Sequence, residues 1–139
     1  MVGKTFYYDL DILERHLDTF GHVNNAKYLE IFEEARWDLV THNGYGLEEV
    51  RSSGKGPIVL QVNLRFKKEL RLREKVRVQT SVVSHNKKLS MFRQAMLNPA
   101  GEVCAEADFT MGFFDTVVRK LISPTPKWLA ALGVANIGA

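Results

Sequence analysis

A single long helical pattern followed by strand patterns is the feature that most limits the folds this chain can adopt. Over residues 24–42, apolar side chains recur at helical spacing and form one broad face. After Pro57 the apolar period changes to two, and turn signals such as the run at residues 98–101 separate the segments. Since short turns between consecutive strands produce antiparallel pairing, this order predicts an α+β domain, with a curved antiparallel sheet packed on one long helix.

The patterns also set approximate bounds for each element. The predicted elements are a strand at residues 5–13, a helix from Asn24 or Asn25 to Thr41 or His42, a helical turn at 47–51, strands at 58–66, 76–82, 90–97 and 103–113, and a short helix at 128–132. The clean alternation at 58–66 predicts a half-buried strand, and residues 84–88 predict a turn. Such a sheet would leave one edge exposed for another subunit to cover.

Composition excludes several classes of protein. The chain has 139 residues, of which 45% are apolar and 25% charged, and we assign residues 1–139 to a single domain. The net charge of +3 is too weak to indicate a nucleic-acid partner. No apolar run is long enough to cross a membrane, and the N-terminus has no signal-peptide pattern. Because Cys104 is the only cysteine, no intrachain disulfide can form, and we expect a cytoplasmic protein.

The run at residues 18–29 carries the most specific chemical signal. Asp18 stands just ahead of a turn that contains Gly21, and Asn24 is placed to cap the helix that follows. Backbone N–H groups at a helix N-terminus stabilise negative charge, including the charge that develops on a carbonyl under attack. A carboxylate beside such N–H groups therefore suggests acyl transfer or hydrolysis.

A family resemblance rests on this run. Residues 16–29 read HLDTFGHVNNAKYL, and residues 33–37 read EEARW. An acid, a turn, His-Val-Asn-Asn and an aromatic-led helix together resemble the hotdog-fold acyl-CoA thioesterases of the 4-hydroxybenzoyl-CoA thioesterase-like branch, and within it the bacterial long-chain acyl-CoA thioesterases. The resemblance implies a sheet wrapped around a central helix. It also implies dimers with active sites at the subunit interface, often assembled into tetramers.

The resemblance assigns roles to individual residues. Asp18 matches the catalytic carboxylate, as a nucleophile or a general base, and Asn25 offers a backbone N–H to the thioester oxygen. His22 is a further catalytic candidate, although a structural hydrogen bond in the turn is the simpler interpretation. The predicted substrate-binding residues are Gly21, Val23, Asn24, Tyr28, Lys87 and Lys88, with the two lysines as phosphate contacts at a hairpin tip.

Simpler structural roles compete with several of these assignments. Asn24 can act as a cap alone, Tyr28 as a core or interface residue, and the two lysines as solvated turn residues. Glu33 and Glu34 are interpreted as helix-face or ion-pair residues. They stay candidates for a test, because a second hotdog branch takes its catalytic carboxylate from the helix.

The predicted function is hydrolysis of an acyl-CoA thioester by a homo-oligomer, with medium- to long-chain acyl groups from fatty acid metabolism as substrates. The acyl chain would enter a tunnel beside the helix. Its predicted lining residues are Leu29, Phe32 and Leu60. The alternatives are hydrolysis of acyl groups on acyl carrier protein and a non-catalytic acyl-CoA-binding hotdog module. We expect no cofactor and no metal, because the spacing of His16, Asp18 and His22 matches no established metal site.

Overall fold

The structure is a computed structural model that describes residues 3–134. Its elements in chain order are β1 (Thr5–Asp11), a 3₁₀ turn (Glu14–His16), α1 (Asn25–His42), α2 (Leu47–Ser53), β2 (Lys55–Phe66), β3 (Lys75–Asn86), β4 (Leu89–Leu97), β5 (Val103–Asp115), β6 (Lys120–Ile122) and α3 (Pro126–Ala131). The prediction of one domain over residues 1–139 extends past the described residues at both ends. Within residues 3–134, none of the helices combines the length and hydropathy of a membrane-crossing segment.

The long helix α1 begins and ends where the sequence predicts. The Asn24 side chain accepts a hydrogen bond from the Ala26 N–H at 2.9 Å, which caps the first turn. After His42 the chain leaves the helix through Gly44, whose φ of 90° lies in the left-handed region that favours glycine. Both the cap and the stop signal are therefore confirmed.

An antiparallel sheet curls around α1, which confirms the α+β prediction. The strand order is β1-β3-β4-β5-β2, and the short β6 pairs with one end of β5. Alternate side chains of β5 face the helix, where the rings of Phe32 and Phe109 meet edge to face with centroids 6.0 Å apart. The core thus lies between α1 and the concave face of the sheet.

The connectivity differs from the prediction in three places. Strand β2 pairs with β5 and not with β3, so residues 67–74 form a crossing connection and not a tight turn. Strand β3 continues to Asn86, which limits the predicted turn at 84–88 to Lys87 and Lys88. Strand β6 was missed because three residues are too few to show a period.

The predicted strand at residues 58–66 is confirmed within β2, but the prediction that it is half-buried is wrong. Val59 is 42% exposed, Leu60 is 46% exposed and Phe66 is 55% exposed. The strand β2 lies at the end of the sheet order, and a bulge between Val59 and Gln61 shifts its register. Alternation in the sequence reports that one face is apolar, but it cannot report whether anything in the same chain covers that face.

Candidate active site

A tight turn ahead of α1 holds Asp18. The Asp18 N–H donates to the His22 carbonyl at 2.8 Å, and Gly21 takes a φ of 81° to close the turn. One carboxylate oxygen, Asp18 Oδ1, accepts hydrogen bonds from the N–H groups of Phe20 at 2.8 Å and His22 at 3.3 Å. The other oxygen, Oδ2, accepts none from any residue between 3 and 134, so it stays available to a substrate or to water.

The first turn of α1 supplies an open donor next to this carboxylate. The N–H groups of Ala26 and Lys27 bond to the side chain and carbonyl of Asn24, both at 2.9 Å. The N–H of Asn25 has no such acceptor within the described part of the chain, and Asn25 is exposed. Free N–H groups at this position carry the positive end of the helix dipole, which stabilises a negatively charged oxygen.

These groups share one pocket of about 450 Å³, which we call the Asp18 pocket. Its lining residues are Asp18, His22, Val23, Asn25, Tyr28, Phe66, Lys67, Lys68 and Glu69. Five of them were predicted site residues, and the turn brings all five together. Asn24 and Gly21 do not line the pocket. They act on its shape indirectly, Asn24 through the helix cap and Gly21 through the turn.

Two of the lining residues, Phe66 at the end of β2 and Glu69 just after it, were missed by the sequence analysis. The more specific of the two is Glu69, whose Oε2 lies 2.7 Å from His22 Nε2. The pKa of Glu69 is lowered, mainly because its carboxylate accepts hydrogen bonds from the Arg71 guanidinium. No local signal could have found this pair, because the two residues come together only through the bridge between His22 and Arg71.

Tyr28 is a wall of the pocket. Its side chain is buried, and its ring meets the Phe66 ring edge to face with centroids 5.0 Å apart. Burial, more than any nearby charge, raises the pKa of its phenol to about 12. The phenol is therefore neutral at physiological pH, and the structure supports a packing role for Tyr28.

The two predicted phosphate contacts lie elsewhere in the chain. Lys87 and Lys88 form the tip of the hairpin between β3 and β4, next to the pairing of Leu89 with Gly112. The pocket instead lies near the pairing of Phe66 with Ala105. At about 3.3 Å per residue along β5, these two places are roughly 23 Å apart, so the lysines do not reach the Asp18 pocket of their own chain.

The remaining candidate groups have structural environments. His16 is buried, and its Nδ1 accepts a hydrogen bond from the Leu13 N–H at 2.8 Å. Cys104 is fully buried, and burial raises the pKa of its thiol. Among residues 3–134, no group of three or more His, Cys, Asp or Glu side chains is arranged to hold a metal ion.

Comparison with known proteins places the chain among thioesterases. The profile of the thioesterase-like superfamily matches residues 12–132. The long-chain acyl-CoA thioesterase FadM of Escherichia coli (strain K12) is 30% identical over 109 residues, which are 78% of this chain and 82% of that protein. A betainyl-CoA thioesterase of Pseudomonas aeruginosa is 28% identical over 92 residues, covering 66% of this chain and 58% of that protein.

A solved structure agrees with the fold. The protein SAV2348 of Staphylococcus aureus, determined in complex with CoA, superposes with a TM-score of 0.87 at 14% sequence identity, over 100% of this chain and 91% of that one. At this identity the likeness establishes the fold alone. It confirms the predicted hotdog arrangement of a curled antiparallel sheet around a central helix.

Proposed function

This chain belongs to the thioesterase-like superfamily, and on that premise we propose that it hydrolyses acyl-CoA thioesters in the Asp18 pocket. One observation carries the assignment of the site. Asp18, with its open Oδ2, and Asn25, with its open N–H, line the same pocket, so it offers both an attacking group and a donor for the carbonyl oxygen. Hydrolysis of a thioester needs both of these groups.

The Asn25 N–H would hold the thioester oxygen as negative charge develops on it. A preorganised donor of this kind is worth about 3–4 kcal/mol in the transition state. Asp18 Oδ2 would either take a proton from the attacking water or attack the carbonyl carbon itself to form a mixed anhydride that water then cleaves. In both routes the products are the free acid and CoA.

His22 would act mainly by positioning other groups. Its backbone N–H helps orient Asp18 Oδ1, while its ring is held by Glu69. We therefore propose that most of the contribution of His22 comes from the geometry of the turn. A direct proton transfer by its ring is the less supported role.

The acyl group is proposed to be of medium to long chain, as in FadM of Escherichia coli. The predicted tunnel lining needs revision at two residues. Phe32 is fully buried against Phe109, and Leu60 packs with Ile58 beside Gly112 on the face of the sheet opposite to Met111. Leu29 is exposed on the side of α1. An acyl chain would therefore pass along the surface of α1 that faces β2 and not through the core.

We propose a homo-oligomer, either a dimer or a dimer of dimers, built on the exposed edge of β2. A second copy paired antiparallel along β2 would satisfy its backbone groups and cover the apolar side chains of Val59 and Leu60. The same pairing would bring Lys87 and Lys88 of the partner subunit towards the Asp18 pocket. Their ammonium groups would then be in reach of the CoA phosphates.

The test is thiol release from a panel of acyl-CoAs, from short to long and including aromatic acyl groups. We compare the wild type with Asp18→Asn and with the matched control Asp115→Asn. Asp115 Oδ1 also accepts two backbone N–H groups, from Val117 at 2.9 Å and Val118 at 3.2 Å, but it lies far from the pocket. The control therefore makes the same chemical change in the same kind of turn.

We expect the wild type and Asp115→Asn to turn over one class of acyl chain best. Asp18→Asn should keep its fold and its acyl-CoA binding while losing about 10²–10⁴ in kcat. Near-normal turnover by a folded Asp18→Asn protein would refute the mechanism. Binding without turnover by the wild type would favour a carrier-protein substrate, whose hydrolysis should fall steeply with salt, or a binding module.

A further inference from the structure

A second cavity lies between α1 and the sheet, towards the C-terminal end of the helix. Its volume is about 330 Å³, within the usual range for small-molecule sites. Its apolar walls include Trp37, Val40, Met111 and Trp128. We call it the Arg36 cavity, because Arg36 also lines it.

Arg36 makes no direct ion pair among the described residues, although the nearby charge of Glu33 partly favours its protonated form. One guanidinium nitrogen donates to Gln94 Oε1 at 2.9 Å, and the group stacks over the Phe109 ring at 4.3 Å. Neither partner is a carboxylate, and Arg36 forms no ion pair with any described residue. Glu33 lies three residues earlier and also lines the cavity, but it is exposed and not within ion-pair distance of Arg36.

Burial among apolar side chains raises the free energy of the charged Arg36 guanidinium. Burial lowers the pKa of Arg36 to about 10, so the group stays protonated at neutral pH but is poorly solvated. A half-buried cation with unused N–H donors gains more from a carboxylate than a solvated surface cation does. The combination of apolar walls and one such cation matches a ligand with an alkyl body and a terminal carboxylate.

An apolar path joins this cavity to the Asp18 pocket. Val59, Val62 and Phe66 pair with Met111, Phe109 and Ala105, which all face the core, so the three β2 side chains lie on the same inner face. Phe66 lines the pocket and Val59 lines the cavity.

The length of this path suits an extended acyl chain. Along α1, residues 25 and 36 are about 16 Å apart at about 1.5 Å per residue. With C–C bonds of about 1.5 Å at tetrahedral angles, an extended chain advances about 1.25 Å per bond, so about 14 carbons cover this distance.

Resting on the proposed function, we propose that the Arg36 cavity receives the far end of the acyl group and that Arg36 selects acyl chains that end in a carboxylate. The substrate class is then the CoA monothioester of a dicarboxylic acid. A plain alkyl chain of the same length would leave the guanidinium without a carboxylate partner. A chain that ends in a quaternary ammonium would be repelled.

The test compares decanoyl-, dodecanoyl- and tetradecanoyl-CoA with their ω-carboxy counterparts of the same length. For the wild type we expect kcat/KM to be about tenfold or more higher for the ω-carboxy member at one of the longer lengths. Arg36→Met should remove this preference, and Arg36→Lys should retain part of it. Arg77→Met removes the same charge from an exposed arginine on β3 and should leave the preference unchanged.

The outcomes distinguish a failure of this inference from a failure of the proposed thioesterase function. Equal turnover of both members by the wild type would overturn the inference and leave the thioesterase activity standing. A preference that survives in a folded Arg36→Met protein would overturn it as well. Because Arg36→Met also removes a partner of the buried Gln94, the wild-type ratio and Arg36→Lys decide the result if that variant does not fold. No turnover of any acyl-CoA would instead refute the proposed function.

Discussion

The two ends of α1 carry two different kinds of cavity. At the N-terminus, the Asp18 pocket is open and polar, and most of its functional groups come from residues 18–28, with residues 66–69 opposite. Further along the helix, the Arg36 cavity is mainly apolar and is assembled from α1, β2, β4, β5 and α3. A site built from one contiguous stretch can be recognised as a motif, whereas a cavity built by packing leaves no motif in the sequence.

The hydrogen bonds of the two regions show the same contrast. The acceptor Asp18 Oδ1 is satisfied by N–H groups two and four residues along the chain. Gln94, on β4, instead donates to the Phe32 carbonyl at 3.0 Å and to Thr80 Oγ1 at 2.9 Å, and accepts from Arg36. The first arrangement should tolerate changes elsewhere in the fold, whereas the second should depend on the packing of α1 on the sheet.

After Asp18→Asn, the largest expected effect comes from removing the backbone donor of the Asp18 pocket. Asn25→Pro removes the N–H, and proline is tolerated at the first position of a helix. Asn24 already has φ of −63° and ψ of 140°, the extended conformation that a residue before proline requires. We expect kcat to fall by about 10²–10³ with little change in helix content, measured by thiol release and circular dichroism.

The matched control for this change is Asn25→Ala. It keeps the N–H and removes only the side chain, so turnover should stay within a few-fold of the wild type. A large loss in Asn25→Ala would assign the role to the amide side chain. Full activity in Asn25→Pro would show that this N–H does not hold the thioester oxygen.

A smaller effect, on stability, is expected beside the Arg36 cavity, where Gln94 binds Arg36. Gln94→Leu would leave Arg36 and Thr80 Oγ1 without their buried partner. Since each unsatisfied buried polar group costs about 1–3 kcal/mol, we expect the free energy of unfolding to fall by about 3 kcal/mol in urea denaturation.

Gln79→Leu is the control for this loss, because Gln79 lies on the neighbouring strand β3 and its side chain makes no hydrogen bond within residues 3–134. We expect a change below about 0.5 kcal/mol there. Equal losses in the two variants would mean that the Gln94 network adds no stability beyond what any polar side chain on these strands provides.

The smallest expected effect is a pH dependence at the wall of the Asp18 pocket. The pKa of Tyr28 is raised to about 12 in the folded protein, above its usual value near 10. The stability contributed by its neutral phenol is therefore fully present below about pH 10 and is lost as the pH rises through 12.

We expect the wild type to lose about 1–2 kcal/mol more than Tyr28→Phe between pH 9 and pH 12, measured by urea unfolding at each pH. The pKa of Tyr8 is also raised to about 12, mainly by its hydrogen bond to Glu34, so Tyr8→Phe serves as the comparison at a partly buried site outside the pocket. Identical curves of stability against alkaline pH for the wild type and Tyr28→Phe would contradict the raised pKa of Tyr28.

Local sequence predicted the Asp18 pocket well and the packing around the Arg36 cavity poorly. The cap at Asn24, the turn at Gly21 and the position of Asp18 all depend on residues within one helical turn of each other, so their chemistry is readable directly. Tyr45, in the connection between α1 and α2, is fully buried, and its hydroxyl donates to the Lys55 carbonyl at 3.1 Å. Its burial depends on Phe113 and Trp128, which are far along the chain.

By itself, the sequence determined the helix α1, its capped start, the antiparallel character of the sheet and the carboxylate at the helix N-terminus. These follow from hydrogen bonds and apolar periods that extend over a few residues. Only the tertiary structure decided that β2 pairs with β5, that Glu69 meets His22 and that Arg36 faces an apolar cavity. The physical reason is that strand pairing and packing join residues that are distant in sequence, and no local pattern specifies which distant partner is chosen.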